Sequence, residues 1–163
     1  MSKQRKCVFS GSFDPPTLGH RWIIQSARQM FDEVVIAVMV NPQKQPLFSF
    51  EQRKEMLALT LGDMQGVRVI EFYGTVAELL EKEQTPFYVR GLRNTVDFEY
   101  ENSNYFATKK LNKEVVPIYL PCPQEYLHIS SSMVKNSLRF NTPISEYVTK
   151  EVEDYIRKIT QEL

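Results

Sequence analysis

A chain of 163 residues has the usual length of one globular domain, and 42% hydrophobic with 12% aromatic residues is enough to build a single core. Its 20 basic and 20 acidic residues cancel, which argues against a dedicated duplex-DNA binder, whose affinity comes from many phosphate contacts, but leaves room for a locally basic pocket. No apolar stretch has the form of a signal peptide or approaches the roughly 20 residues of a membrane span, so neither nucleic acid nor membrane is an expected partner.

No repeat, low-complexity tract or long linker divides the sequence, so residues 1–163 read as one domain. Residues 7–10 are a short apolar run that stops at Gly11, a buried strand. Leu18–Met30 sets Trp22, Ile23, Ala27 and Met30 at helical spacing. Residues 34–40 are almost unbroken in β-branched character, as in a parallel strand covered on both faces. Ser49 with Gln52 forms a capping box for a helix to about Leu61, with Met56, Leu57, Leu59 and Thr60 as its stripe. Val67–Phe72 reads as a strand, 75–82 as a short helix and 87–90 as a strand ending at Gly91. A long, rather polar helix over 96–111 and a strand over 115–120 follow. Residues 130–140 form a helix. Thr142 as N-cap and Pro143 in the first turn predict the start of a last one, with Ile144, Tyr147, Val148, Val152, Tyr155, Ile156 and Ile159 on its apolar face. Five strands alternating with helices predict a Rossmann-like, doubly wound five-stranded parallel sheet of the α/β class. Cys7 and Cys122 lack a CxxC partner and read as small buried hydrophobes in a reducing, cytoplasmic setting.

Sheets of this kind bind ligands outside the carboxyl ends of their strands, and the chemically suggestive residues fall there. Residues 11–20, Gly-Ser-Phe-Asp-Pro-Pro-Thr-Leu-Gly-His, follow the first strand and open the first helix. Gly11 permits close backbone approach, Ser12 offers a hydroxyl and an amide, and the helix start favours an anion. His20, one turn in, can direct a ring N–H at the same phosphate. As an ordinary turn, the segment would instead use Asp14 or Thr17 as a helix cap and leave His20 exposed. Residues 129–135, Ile-Ser-Ser-Ser-Met-Val-Lys, bring three hydroxyls to another helix start. Arg90-Gly-Leu-Arg93 supplies two fork-shaped donors suited to phosphate, and Lys44 follows the second strand. Asp97, Glu99 and Glu101 form a solvated face or bind ligand hydroxyls, and His128 reads as structural or as part of the site's rim. There is no Walker loop, GxGxxG or HExxH, and no nucleophile stands out. Two phosphates react directly once they are aligned and screened.

With these motifs together, the sequence resembles the bacterial phosphopantetheine adenylyltransferases of the nucleotidyltransferase superfamily, nearly end to end. The T/HxGH box is Thr17-Leu-Gly-His20, the second box is Ile129 to Lys135 with three serines, and the most specific stretch is Arg90-Gly-Leu-Arg-Asn-Thr-Val-Asp-Phe-Glu-Tyr-Glu101. Position 12 is Ser where many members have Thr, which keeps the hydroxyl. The resemblance implies ATP and 4′-phosphopantetheine as substrates, dephospho-CoA and pyrophosphate as products, Mg²⁺ as cofactor and a homohexamer, with the tyrosine-rich helix at 98–111 between subunits. It implies catalytic roles for His20, Lys44 and Arg93. ATP contacts would come from Ser12, Phe13, His20, Gly91, Leu92, Arg93, Glu101, Tyr126, Leu127, His128, Ile129, Ser130, Ser131 and Ser132. The second substrate would be held by Ser12, Lys44, Val76 and Arg90. Another phosphorylated acceptor, such as a sugar phosphate, glycerol phosphate or nicotinamide mononucleotide, and a non-catalytic regulator of the same fold are the competing expectations.

Overall fold

Runs of apolar residues that alternate between two buried faces set the centre of the molecule. The structure, a computed structural model, describes residues 4–161. Its strands are β1 (Lys6–Gly11), β2 (Glu33–Met39), β3 (Val67–Phe72), β4 (Phe87–Leu92) and β5 (Val116–Pro121), all parallel, in the order β3-β2-β1-β4-β5. The helices are α1 (Leu18–Met30), α2 (Phe50–Leu61), α3 (Val76–Glu83), α4 (Thr95–Leu111), α5 (Ser131–Arg139) and α6 (Lys150–Gln161). The doubly wound sheet expected from the alternation is present, and no described helix is long and apolar enough to cross a membrane.

The two-residue period of the central strands sorts their side chains. Cys7, Phe9, Val34, Ile36 and Val38 face one layer, where Ile23, Ile24 and Ala27 of α1 and Leu57 and Leu61 of α2 cover them. Val8, Val35 and Ala37 face the other, under Leu79 and Leu80 of α3 and next to Tyr105 of α4. Each fully buried side chain of this size contributes about 1.5–3 kcal/mol from apolar burial. A third cluster lies outside the first layer, where Met56 of α2 meets Val134, Val152 and Ile156 of α5 and α6. Burial pushes the Cys7 thiol up to about 12 against a smaller opposing effect of Arg28, so it packs as a hydrophobe. Cys122 departs from expectation: it is only partly buried.

The last helix begins later than its capping signal predicts. Residues 142–149 are turn and coil, and α6 starts at Lys150. Asn141 takes a φ of 53°, which breaks the chain away from α5, and the Thr142 hydroxyl donates back to the Ser137 carbonyl. The Tyr147 carbonyl is engaged elsewhere, accepting the Leu18 N–H at 2.9 Å. Thr149 takes the role expected of Thr142: its hydroxyl accepts from the Val152 N–H and its carbonyl from the Glu153 N–H. Ile144 and Val148 still pack in the third cluster, so the apolar spacing located the contacts while misplacing the helix.

At the amino ends of the strands, Glu83 accepts from Arg68 at 2.5 Å, Lys6 stands 3.7 Å away, and Arg68 also holds Glu33 at 2.9 Å. Burial alone would raise the Glu83 pKa; the Arg68 hydrogen bonds and charge, with Lys6, outweigh it and hold the carboxyl below its ordinary range. A carboxyl more acidic in the folded state adds stability above its unfolded pKa of about 4.3, and that stability is lost as pH falls through the lower folded value. Glu83→Gln should therefore lower Tm at pH 7, with the gap to wild type closing as thermal melts are taken to pH 4 and below.

Candidate active site

The order β3-β2-β1-β4-β5 places a topological switch point between β1 and β4. The chain leaves β1 for α1 on one face of the sheet and leaves β4 for α4 on the other, so a crevice opens between their carboxyl ends. A cleft of about 260 Å³ occupies it, walled by Ser10 to Ser12 from the end of β1, Arg90, Gly91 and Arg93 from the end of β4, His20 from α1, and Ser130 and Ser131 at the start of α5. Gly91 lets α1 pack close: a Cβ there would lie 2.4 Å from Ile23 Cδ1, so a larger residue needs that side chain to shift.

His20 is fixed by a reciprocal cap. The Thr17 N–H donates to His20 Nδ1 at 3.0 Å, and the Thr17 hydroxyl accepts from the His20 N–H at 3.4 Å. Thr17 and His20 are thus both cap and site, which the sequence had posed as alternatives. With Nδ1 accepting, the ring proton of the neutral imidazole sits on Nε2. Phe13 packs against the ring at 5.0 Å between centroids, with Phe9 at 6.1 Å. Burial, then the charges of Arg90 and Arg93, lower the His20 pKa to about 4. The side chain is a neutral hydrogen-bond donor at physiological pH.

The two arginines are held rather than free. Arg90 Nη1 donates to the Ser10 carbonyl and Nη2 to Glu101, both at 2.6 Å, while its Nε is buried without a partner. Arg93 is clasped by Asp97, whose carboxylate accepts from the Arg93 backbone N–H at 2.9 Å and from Nε at 3.0 Å. Burial would raise the Asp97 pKa, but the Arg93 hydrogen bonds and charge pull it below its ordinary value. Such clamps keep both guanidiniums at the cleft without a ligand, lowering the entropy lost on binding an anion. Across the cleft, Ser130 caps α5 by accepting from the Met133 N–H, and the Ser131 hydroxyl donates 2.7 Å to the Pro15 carbonyl, tying α5 to the 11–20 loop.

Of the residues expected from the sequence, Ser12, His20, Arg90, Gly91, Arg93, Glu101, Tyr126, Ile129, Ser130 and Ser131 line this one cleft. Phe13 lies beneath it as core, and Leu92, Leu127, His128 and Ser132 stand outside its wall, with His128 against Tyr147. Lys44 is on an exposed turn over residues 41–46, and Val76 packs against the core cluster that holds Leu79 and Leu80; neither lines the cleft. Sequence reasoning missed two anchors. Asp14 is buried and, instead of capping α1, accepts the N–H groups of Leu47 and Phe48 at 2.8 and 2.9 Å, with Lys135 Nζ at 3.6 Å. Arg53 is buried below the same loop. Only their tertiary partners distinguish them from surface charges, and Leu47 and Phe48 for Asp14 and Ser12 for Arg53 lie more than thirty residues away.

The cytidylyltransferase-like family model matches residues 8–137. Curated phosphopantetheine adenylyltransferases are similar over most of the chain. That of Heliobacterium modesticaldum is 39% identical, covering 89% of this chain and 86% of its own. Those of Caldanaerobacter subterraneus and Flavobacterium johnsoniae are 40% and 42% identical over 88% and 83% of this chain, and 90% and 88% of theirs. A solved Plasmodium falciparum nicotinic acid mononucleotide adenylyltransferase complexed with NaAD superimposes with a TM-score of 0.71 at 18% identity, covering 96% of each chain, a likeness of fold.

Because the folded His20 pKa lies near 4, well under the ordinary value of about 6.5, the ring stays neutral until pH falls far below 6, and its protonation then opposes folding. An NMR titration of the imidazole carbon-bound protons, assigned with His20→Ala, should show no His20 midpoint between about pH 5.5 and 8.

Proposed function

Because the chain belongs to the phosphopantetheine adenylyltransferase family, we propose that it transfers the adenylyl group of ATP to 4′-phosphopantetheine, yielding dephospho-CoA and pyrophosphate in the penultimate step of coenzyme A synthesis. The observation that carries the reading is the cleft at the switch point, where a neutral imidazole donor, two clamped arginines and the starts of two helices converge, and where, among the described residues, no lining serine or cysteine is hydrogen-bonded to a base that would activate it: Ser10, Ser130 and Ser131 have other partners, and burial raises the Cys122 pKa. That is the equipment for aligning two phosphates, not for forming a covalent enzyme intermediate.

An oxygen of the 4′-phosphate attacks the α-phosphorus of ATP. The bond from that phosphorus to the bridging oxygen breaks, and pyrophosphate leaves. His20 donates its Nε2–H to an α-phosphate oxygen as charge accumulates there, a task suited to a ring that is uncharged and immobile. Arg93 and the amides and hydroxyls of Ser130 and Ser131 face the β and γ phosphates. Arg90 and Ser12 hold the acceptor phosphate, Val76 borders the path of its pantetheine arm, and Lys44 closes from the exposed 41–46 turn to neutralise the phosphates. Mg²⁺ accompanying ATP would supply screening of the phosphate charge. Among the described residues no three His, Cys, Asp or Glu side chains form a metal cage, and Asp97 and Glu101 at the cleft are engaged by arginines. Two cysteines without a disulfide accord with a reducing, cytoplasmic setting.

Self-association follows from α4. Of its residues only Glu101 is buried, while Val96, Tyr100 and Phe106 are 69%, 64% and 55% exposed. So much apolar and aromatic surface on one helix supports a subunit contact there, and a homohexamer, the assembly implied by the family resemblance, is the one we infer.

Pyrophosphate release should occur with ATP and 4′-phosphopantetheine but not with glycerol phosphate or nicotinamide mononucleotide; turnover confined to either of those acceptors would overturn the assignment. His20→Ala should still bind ATP and lose about 10²–10³ in kcat, the scale for one lost donor to a developing oxyanion. Light scattering on the eluting protein should give six times the 19.1 kDa chain mass, and Tyr100→Glu with Phe106→Glu should reduce that mass.

A further inference from the structure

Arg53, on the first turn of α2, is 5% exposed, and its guanidinium runs back 41 residues in sequence to the 11–20 loop. Nη1 donates to the Ser12 carbonyl at 2.8 Å, and Nε reaches the Ser49 carbonyl at 3.4 Å. Among the described residues no carboxylate lies within 4.0 Å of it. A buried cation supported only by neutral carbonyls is costly to keep, and this one stands directly behind a residue of the cleft wall.

Its partner peptide has an unusual shape. Phe13 adopts a φ of 49°, in the left-handed region that bulky residues avoid. Its ring is locked in the core between Phe9, at 5.3 Å, and His20. The Ser12–Phe13 bond is trans, and in a trans peptide the carbonyl and the N–H point in opposite directions. Holding the Ser12 carbonyl toward α2 therefore turns the Phe13 N–H away from it. Among the described residues that N–H has no acceptor. The charge of Arg53 also polarises the peptide, making the N–H a stronger donor.

We propose that Arg53 is a positioning residue for nucleotide phosphate: it fixes and polarises the Ser12–Phe13 peptide so that the Phe13 N–H binds a phosphate oxygen next to His20. The strained loop is thereby held ready for its anion before the ligand arrives. This rests on the cleft binding ATP phosphates as described above.

Arg53→Met and Arg53→Lys test it at a temperature where circular dichroism shows both folded. For Arg53→Met, KM for ATP and the calorimetric Kd for inorganic pyrophosphate should rise about tenfold or more, with KM for 4′-phosphopantetheine within about twofold of wild type; Arg53→Lys, which keeps the charge, should lie between. A folded Arg53→Met with unchanged ATP KM and pyrophosphate Kd overturns the proposal, as does an equal rise for both substrates. If neither variant folds, wild type labelled with ¹⁵N-phenylalanine decides. The Phe13 amide should shift on titration with pyrophosphate, and a stationary Phe13 resonance overturns the proposal. Wild type that binds pyrophosphate through Phe13 yet fails to turn over 4′-phosphopantetheine would sink the functional reading and leave this one standing.

Discussion

Strands β1 and β4 pair in the middle of the sheet, yet the helices that follow them must cover opposite faces. No backbone connection can fill the gap this leaves at their carboxyl ends, and the two strand ends become facing walls. Everything chemical in the protein stands in relation to that gap. The end of β1 bends into the 11–20 loop, the end of β4 carries two arginines, and the α5 start closes the third side. The fold does not merely carry the site: a parallel sheet that winds both ways from its centre cannot avoid making a crevice there, and the sequence then decides what lines it.

What lines it here is charge that has been immobilised. Each arginine at the cleft has a carboxylate on α4, so α4 acts as the fixed counterweight of the β4 end. Burial first, and then the charges of the two arginines, keep the histidine neutral, because another positive charge in a poorly solvated place beside them is unfavourable. The cap at the start of α1 adds the tautomer. One helix-capping contact, Thr17 N–H to Nδ1, decides which ring nitrogen carries the proton toward the cleft. Local structure, electrostatics and catalytic role meet in a single side chain, so no one of them can be changed without the others.

The sheet, its strands and α1 to α5 were legible because their periods are strong and their boundaries carry local chemistry, such as the Ser49–Gln52 box. Leu18–Met30 and Val67–Phe72 were located residue for residue. The start of α6 was not, because Thr142-Pro143 satisfies a local rule while Asn141 and the distant Leu18 impose a turn instead. The cleft was legible through motifs whose members are close in sequence. Asp14 and Arg53 were not, since nothing near them in the chain tells a buried anchor from a solvated charge. Lys44 was noted for its place after the second strand, but its role, like that of Val76, came from resemblance, and neither residue lines the cleft.

One feature of the cleft also bears on how the molecule comes to exist. The 11–20 loop is emitted early in synthesis, but the contacts that shape it come from far along the chain: Arg90 to Ser10, Ser131 to Pro15, and the Tyr147 carbonyl to the first N–H of α1. The loop-closure entropy of such pairings must be met before they reward the chain. The β1–α1–β2 unit can therefore condense around its local apolar contacts while its phosphate loop is still unsupported. The set of contacts that shapes the loop is complete only once the chain as far as Tyr147 is available to fold.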